Sequence, residues 1–255
     1  MPAARKRAKT SHAEDKDRPP SMLLSDYRTC WLVKSDAPAI EIIAKDEVFS
    51  VHKSILTTHS EYFETCLNKG FAEAADNLIR FEDIDPKYLG YYLGLAASYS
   101  SIVPHIPLMP LEDPEASPKR ASIQDFVEVY KLCDRFLSSE MAAFMVFCIK
   151  TAIGVGHRAL HQAGRDGDKQ KALMRDFADG FEALNRDHEV QAALAKKLIE
   201  YFCEGIDYMA WDMWMEEVMN RPNFVAHVSK SFARKLVDAM TSRTKLKRKE
   251  LSGPY

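Results

Sequence analysis

A change of hydrophobic period within residues 40–56 limits what this chain can fold into more than any other feature. Ile40 to Ala44 and Val48 to Val51 are short apolar runs either side of Lys45-Asp46-Glu47, the pattern of a strand hairpin. Directly afterwards the apolar positions fall at helical spacing, at Ile55, Leu56, His59, Tyr62 and Phe63. A third strand-like run, Leu78 to Phe81, leads into Asp85-Pro86. That pair is a helix start, with a carboxylate to cap and a proline where the missing N–H does no harm.

The totals bound the rest. Hydrophobic residues make up 46% of 255 positions, enough for a packed core, and the net charge of −2 excludes a chain built throughout to bind polyanions. No sequence run approaches a membrane span, and the first twenty residues are polar, so neither a membrane segment nor a secretory leader is expected. The cysteines, Cys30, Cys66, Cys133, Cys148 and Cys203, are odd in number, far apart and set in apolar patterns. They read as reduced core thiols of an intracellular protein.

Residues 1–26 carry few hydrophobic side chains and are expected to be a disordered tail. Its cluster Arg5, Lys6, Arg7 and Lys9 fits a nuclear localisation signal and equally a solvated basic tail. Tyr27, Trp31, Leu32 and Val33 form a short apolar segment that has to pack on something. Thr58 or Ser60 caps the helix carrying Tyr62, Phe63, Cys66 and Leu67. His52 reads as a structural residue of the turn before it, and Lys53 as surface charge.

Residues 98–121 form a clear break, with Pro104, Pro107, Pro110, Pro114 and Pro118, a density that favours extended chain. A capping box at Ser122 opens the next helix, Ser139 caps another, and Gly154 with Gly156 is expected to stop it. Residues 157–168 read as a loop or frayed helix. Residues 154–240 then read as helical, with inward stripes that include Phe177 and Phe181, Leu198 and Phe202, Met209 and Val218, and finally Phe224, Phe232, Leu236 and Met240. Residues 241–255 read as a basic, flexible tail.

No catalytic motif stands out in the sequence. His157 and His161 stand one helical turn apart, but Arg158 occupies the place of a zinc protease's catalytic glutamate and no third ligand is apparent. Gly154-Val155-Gly156 matches neither phosphate-cradling loop, and there is no CxxC pair or GxSxG elbow. No enzyme, cofactor or metal site is expected. Basic residues gather at the termini without interleaved stacking groups on a folded face, so specific nucleic-acid reading is not expected either.

Four blocks in order, Val48 to Leu56, Ser60 to Phe63, Gly70 to Glu73 and Ile79 to Pro86, together with Phe126 to Phe136, resemble the BTB/POZ domain family, specifically its divergent fungal-type members. The resemblance implies an α+β fold, a small mixed sheet flanked by a helical cluster, over residues 27–153, with the proline-rich stretch as an insertion and an all-α extension behind it. It implies a non-enzymatic protein–protein interaction module. Phe71 and Glu73 match the hydrophobic-x-glutamate pattern of members that bind cullins, where Phe71 would be the buried anchor and Glu73 a polar contact. Tyr27, Trp31, Leu32 and Val33 match the segment through which many members form homodimers. Ala39 stands where the family usually has an acid, which argues against corepressor binding of the zinc-finger type. Two functions follow: a substrate-recruiting adaptor of a cullin-RING ubiquitin ligase, or a nuclear dimerising scaffold or transcription-associated cofactor. Localisation is expected to be nuclear, cytoplasmic or both.

Overall fold

The computed structural model describes Leu24, Tyr27 and residues 39–69, 71–102, 121–164 and 166–251. Strands β1 (Ala39–Ala44) and β2 (Glu47–His52) form the expected hairpin, with Ile42 opposite Phe49 and Ile40 opposite Val51. Lys45 makes the turn with a φ of 50°, in the left-handed region. The hairpin buries one face, Ile40, Ile42 and Ala44 from β1 with Phe49 and Val51 from β2. A slip of one residue would turn all of these to water, so the register is fixed by burial.

Strand β3 (Leu78–Phe81) joins the other side of β1 in parallel, giving the order β2-β1-β3. A parallel neighbour needs a crossover. Here it consists of three short helices, α1 (Lys53–Thr58), α2 (Glu61–Asn68) and α3 (Ala72–Asp76). Ser60 rather than Thr58 is the cap of α2, its Oγ accepting the N–H of Phe63 at 3.2 Å. Lys53 is not merely surface charge: its Nζ donates to the carbonyl of Leu67 at 2.9 Å and so ties the end of α2 to the start of α1.

Helix α4 (Pro86–Ile102) begins as expected, the Lys87 N–H donating to Asp85 Oδ1 at 2.9 Å. It runs four residues past Ser98, the position where the break was expected. The first proline is Pro104, and only the residue before a proline is pushed out of helical conformation. Helix α5 (Ile123–Arg135) has the capping box at Ser122 and Asp125. It ends on Leu137 at φ 52°, with the Ser138 N–H reaching back to Cys133 O at 2.8 Å and the Leu137 N–H to Asp134 O at 3.1 Å. That pair of bonds is a Schellman stop.

Helix α6 (Ser139–Ala163) corrects the expected boundary at residues 153 and 154. It passes straight through Gly154 and Gly156 and into the stretch expected to be a loop. Gly156 is a packing residue: a Cβ there would lie 2.6 Å from the Phe177 ring, so its absence lets α7 (Gly167–Ala183) approach. Ser138, not Ser139, stands at the helix start, and its hydroxyl pairs with Tyr92 OH at 2.9 Å instead of capping. By length and composition α6 is apolar enough to cross a membrane, contrary to the expectation that no run approaches a membrane span. Half of its most apolar stretch is buried inside the protein, as in a core helix.

Helix α8 (Glu189–Gly205) follows. The next stripe is split into α9 (Tyr208–Trp214) and a 3-10 turn (Met215–Val218). Helix α10 (Pro222–Leu251) continues into the expected flexible tail as far as Leu251. One apolar cluster runs from Ile40 in the sheet to Val228 in α10. Within the extension Phe177 meets Phe202 at 5.5 Å and Phe202 meets Phe224 at 5.0 Å, and the same cluster continues into α5, where Ile123 packs against Gly180 of α7, so the extension shares the core of the strand-bearing part. Leu236, Met240 and Met209, expected to face inward, are instead 63%, 63% and 66% exposed.

Candidate partner-docking face

The hub beneath the candidate site is Phe136. Its ring meets Phe63 at 4.8 Å, Tyr92 at 5.0 Å, Phe81 at 5.3 Å and Tyr62 at 5.5 Å. Aromatic rings at such separations and tilts add to the burial energy of each. Because Phe63 is buried here, α2 presents the preceding residue, Tyr62, partly to the surface. Burial raises the Tyr62 hydroxyl above its ordinary value, and the negative charge of Glu73 adds to the rise. The Cys66 thiol is raised for the same two reasons, in the same order. Glu73, Tyr62 and Cys66 therefore share one neighbourhood, although Glu73 lies in a different helix.

Phe71 supplies the apolar part of this face. It stands just before α3 in extended conformation, φ −71° and ψ 162°, and its carbonyl accepts the N–H of Ala75 at 3.4 Å. The backbone thus turns into the short helix while the ring stays outside, 51% exposed. The domain's own core leaves this large ring half in water. Asn77 ends α3 at φ 51° and returns the chain to β3, a conformation that asparagine tolerates. Beside the face, Arg135 grips both carboxylate oxygens of Asp83, one contact at 3.1 Å, and lies over the Phe81 ring at 5.6 Å. The guanidinium holds the Asp83 carboxyl below its ordinary range.

Phe71 and Glu73 both stand at the start of α3, Phe71 half-exposed, and Glu73 lies near the partly buried Tyr62 and the buried Cys66. These two were legible only as members of an apolar helix face. Tyr27 packs, partly buried, against the protein's own core. The other members of the candidate dimerisation segment, Trp31, Leu32 and Val33, and the basic cluster Arg5, Lys6, Arg7 and Lys9 lie outside the described residues. His52 precedes α1 without capping it, and its Nδ1 is buried with no hydrogen-bond partner among the described residues. His157 Nδ1 is held by the Tyr201 carbonyl at 2.9 Å and stacks edge-on with His161 at 4.6 Å. Among the described residues no three metal-capable side chains gather.

This part of the domain combines a half-exposed aromatic ring, a carboxylate two residues on, and an aromatic cluster around Phe136 behind Tyr62. Residues 37–99 match the family model of the BTB/POZ domain. No curated protein matches the chain. The matched span covers the hairpin, the crossover helices, β3 and most of α4, so the order and pairing of these elements and the family match agree: this chain carries a BTB/POZ domain, a protein–protein interaction module.

Proposed function

We propose that the protein is a substrate-recruiting adaptor of a cullin-RING ubiquitin ligase, and that the face around Phe71 and Glu73 is where the cullin docks. The observation that carries this reading is the exposure of Phe71 at 51% beside a carboxylate. A phenylalanine belonging to the core would have folded inward, as Phe63 does at 0%. Burying the ring against a helical partner supplies the anchor, and Glu73 sets orientation at the rim. The helical extension, which shares the domain's core, would present the recruited target. No covalent step falls to this protein; it holds two partners near one another.

Calorimetric titration with a cullin amino-terminal domain tests the reading. The intact protein is expected to bind with a Kd of about 1 µM or tighter, roughly −8 kcal/mol. A Phe71→Ala, Glu73→Ala variant is expected to bind at least ~30-fold more weakly, as for loss of an anchor worth about 2 kcal/mol. Absence of binding by the intact, folded protein would overturn the adaptor role and favour a nuclear scaffold, in which these residues serve another partner.

A further inference from the structure

A group of side chains that the docking face does not use stands at the carboxy-terminal end of α6. His157 and His161 lie one helical turn apart, the spacing at which two side chains on a helix come side by side. Their ring centres are 4.6 Å apart and the rings are almost perpendicular, at 84°. The two are held differently. His157 is half-buried against α8, its Nδ1 meeting the Tyr201 carbonyl at 2.9 Å and its ring meeting the Tyr201 ring at 5.1 Å. Gly205 makes the room, since a Cβ there would lie 3.1 Å from that nitrogen. His161 is exposed, so its ring can turn towards its neighbour.

A carbonyl only accepts, so His157 Nδ1 carries the proton and donates it. The neutral ring then keeps its lone pair on Nε2. This is how a metal-ligating histidine is held, one nitrogen oriented by a carbonyl and the other left to bind. Position adds to the case. His161 stands in the last turn of α6, where carbonyls without helical partners make the helix end partly negative and favour a cation. A purely structural role accounts for half of the arrangement. The Tyr201 bond ties α6 to α8 without an ion, but it gives His161 nothing to do.

Among the described residues no third metal-capable side chain joins the pair. Two imidazoles on one helical turn still chelate an ion whose remaining positions are filled by water. The donors set the class of ion: imidazole nitrogen suits zinc, nickel or copper, whereas magnesium and calcium require oxygen ligands.

We infer that His157 and His161 form a surface site for a divalent transition ion, His157 binding through a preoriented Nε2 and His161 swinging in to close the chelate. The site is independent of the Phe71 face and stands whether or not a cullin binds.

Calorimetric titration of the full-length protein with zinc chloride in a non-chelating buffer tests it. One ion per chain is expected, with a Kd of about 100 µM or tighter, and magnesium chloride is expected to give no binding. His161→Gln removes one ligand at an exposed position and leaves the Tyr201 bond in place. It is expected to bind zinc at least ~10-fold more weakly, with unchanged circular dichroism. His157→Gln keeps a side-chain donor for the Tyr201 carbonyl and is expected to lose as much. Urea unfolding gives a second reading: zinc is expected to raise the midpoint of wild type and not that of His161→Gln, because the ion binds the folded pair. No binding by wild type at about 1 mM zinc would overturn the inference. Binding undiminished in His161→Gln would do the same, since the ion would then be held by other side chains.

Discussion

The hydroxyl of Ser60 donates to the backbone carbonyl of Phe136 at 2.6 Å, joining two turns 76 residues apart in the chain. The same oxygen accepts the N–H of Phe63, so one buried side chain caps α2 and satisfies the carbonyl that closes α5. The proposed docking face rests on this joint, because Tyr62 and Phe63 follow the cap and Phe136 is the ring they pack on.

Ser60→Ala removes a helix cap and leaves a buried carbonyl without its partner. The expected loss is about 2–3 kcal/mol, adding ~1 for the cap to ~1–2 for the orphaned acceptor. Ser60→Thr keeps both bonds and is expected to lose less than half as much. Urea unfolding followed by tryptophan fluorescence measures both. A change under ~0.5 kcal/mol for Ser60→Ala would show that the joint carries little.

Two glycines separated by Val155 should respond with opposite sign. A Cβ at Gly154 meets nothing within 4 Å, so Gly154→Ala is expected to stabilise α6 by about 0.5–1 kcal/mol. At Gly156 a Cβ would lie 2.6 Å from the Phe177 ring, so Gly156→Ala is expected to cost about 1–3 kcal/mol through overpacking. Thermal unfolding of the two variants checks the pair. Equal effects would contradict the close approach of α6 and α7.

How much of this was legible in the chain depended on whether a local rule or a packing partner decided. The hairpin, β3, the Asp85-Pro86 helix start and the Ser122 capping box were all legible, because each is set by residues within a few positions of one another. Gly154 and Gly156 misled because glycine near a helix end and glycine at a helix crossing look alike until Phe177 is seen. Met209 and Leu236 misled in the opposite way. Their spacing is that of a buried stripe, and only the paths of α9 and α10 show that no core lies opposite them. For the candidate site, the pattern of Phe71 and Glu73 was visible, but the outward turn of the ring was not. Cys66 is buried as its place on the apolar face implied, whereas the partial exposure of Tyr62 was not legible, because a partly exposed helix face has the same periodicity as a buried one.

Alkaline pH should destabilise the fold. Burial pushes the Cys148 thiol from its ordinary 9.0 up to about 12, and it raises Cys133 and Tyr92 as well. Between pH 9 and about 12 the folded state keeps a proton at Cys148 that the unfolded chain has already lost. Unfolding is then favoured by roughly 1.4 kcal/mol per pH unit for each such group. Stability is expected to be flat up to about pH 8 and to fall beyond 9. Cys148→Ala is expected to make the decline shallower by about one group's share. Urea titrations from pH 7 to 10.5 read the slope; no difference between wild type and the variant would contradict the assignment.

The central claim is that the exposed ring of Phe71 is a docking anchor, and amide hydrogen exchange tests it most directly. Exchange is followed in the intact protein with and without a saturating cullin amino-terminal domain. The account predicts slowed exchange across α2 and α3, Glu61–Asn68 and Ala72–Asp76, with no change over α9. Bound cullin that left α2 and α3 unprotected, or protected another surface instead, would contradict it.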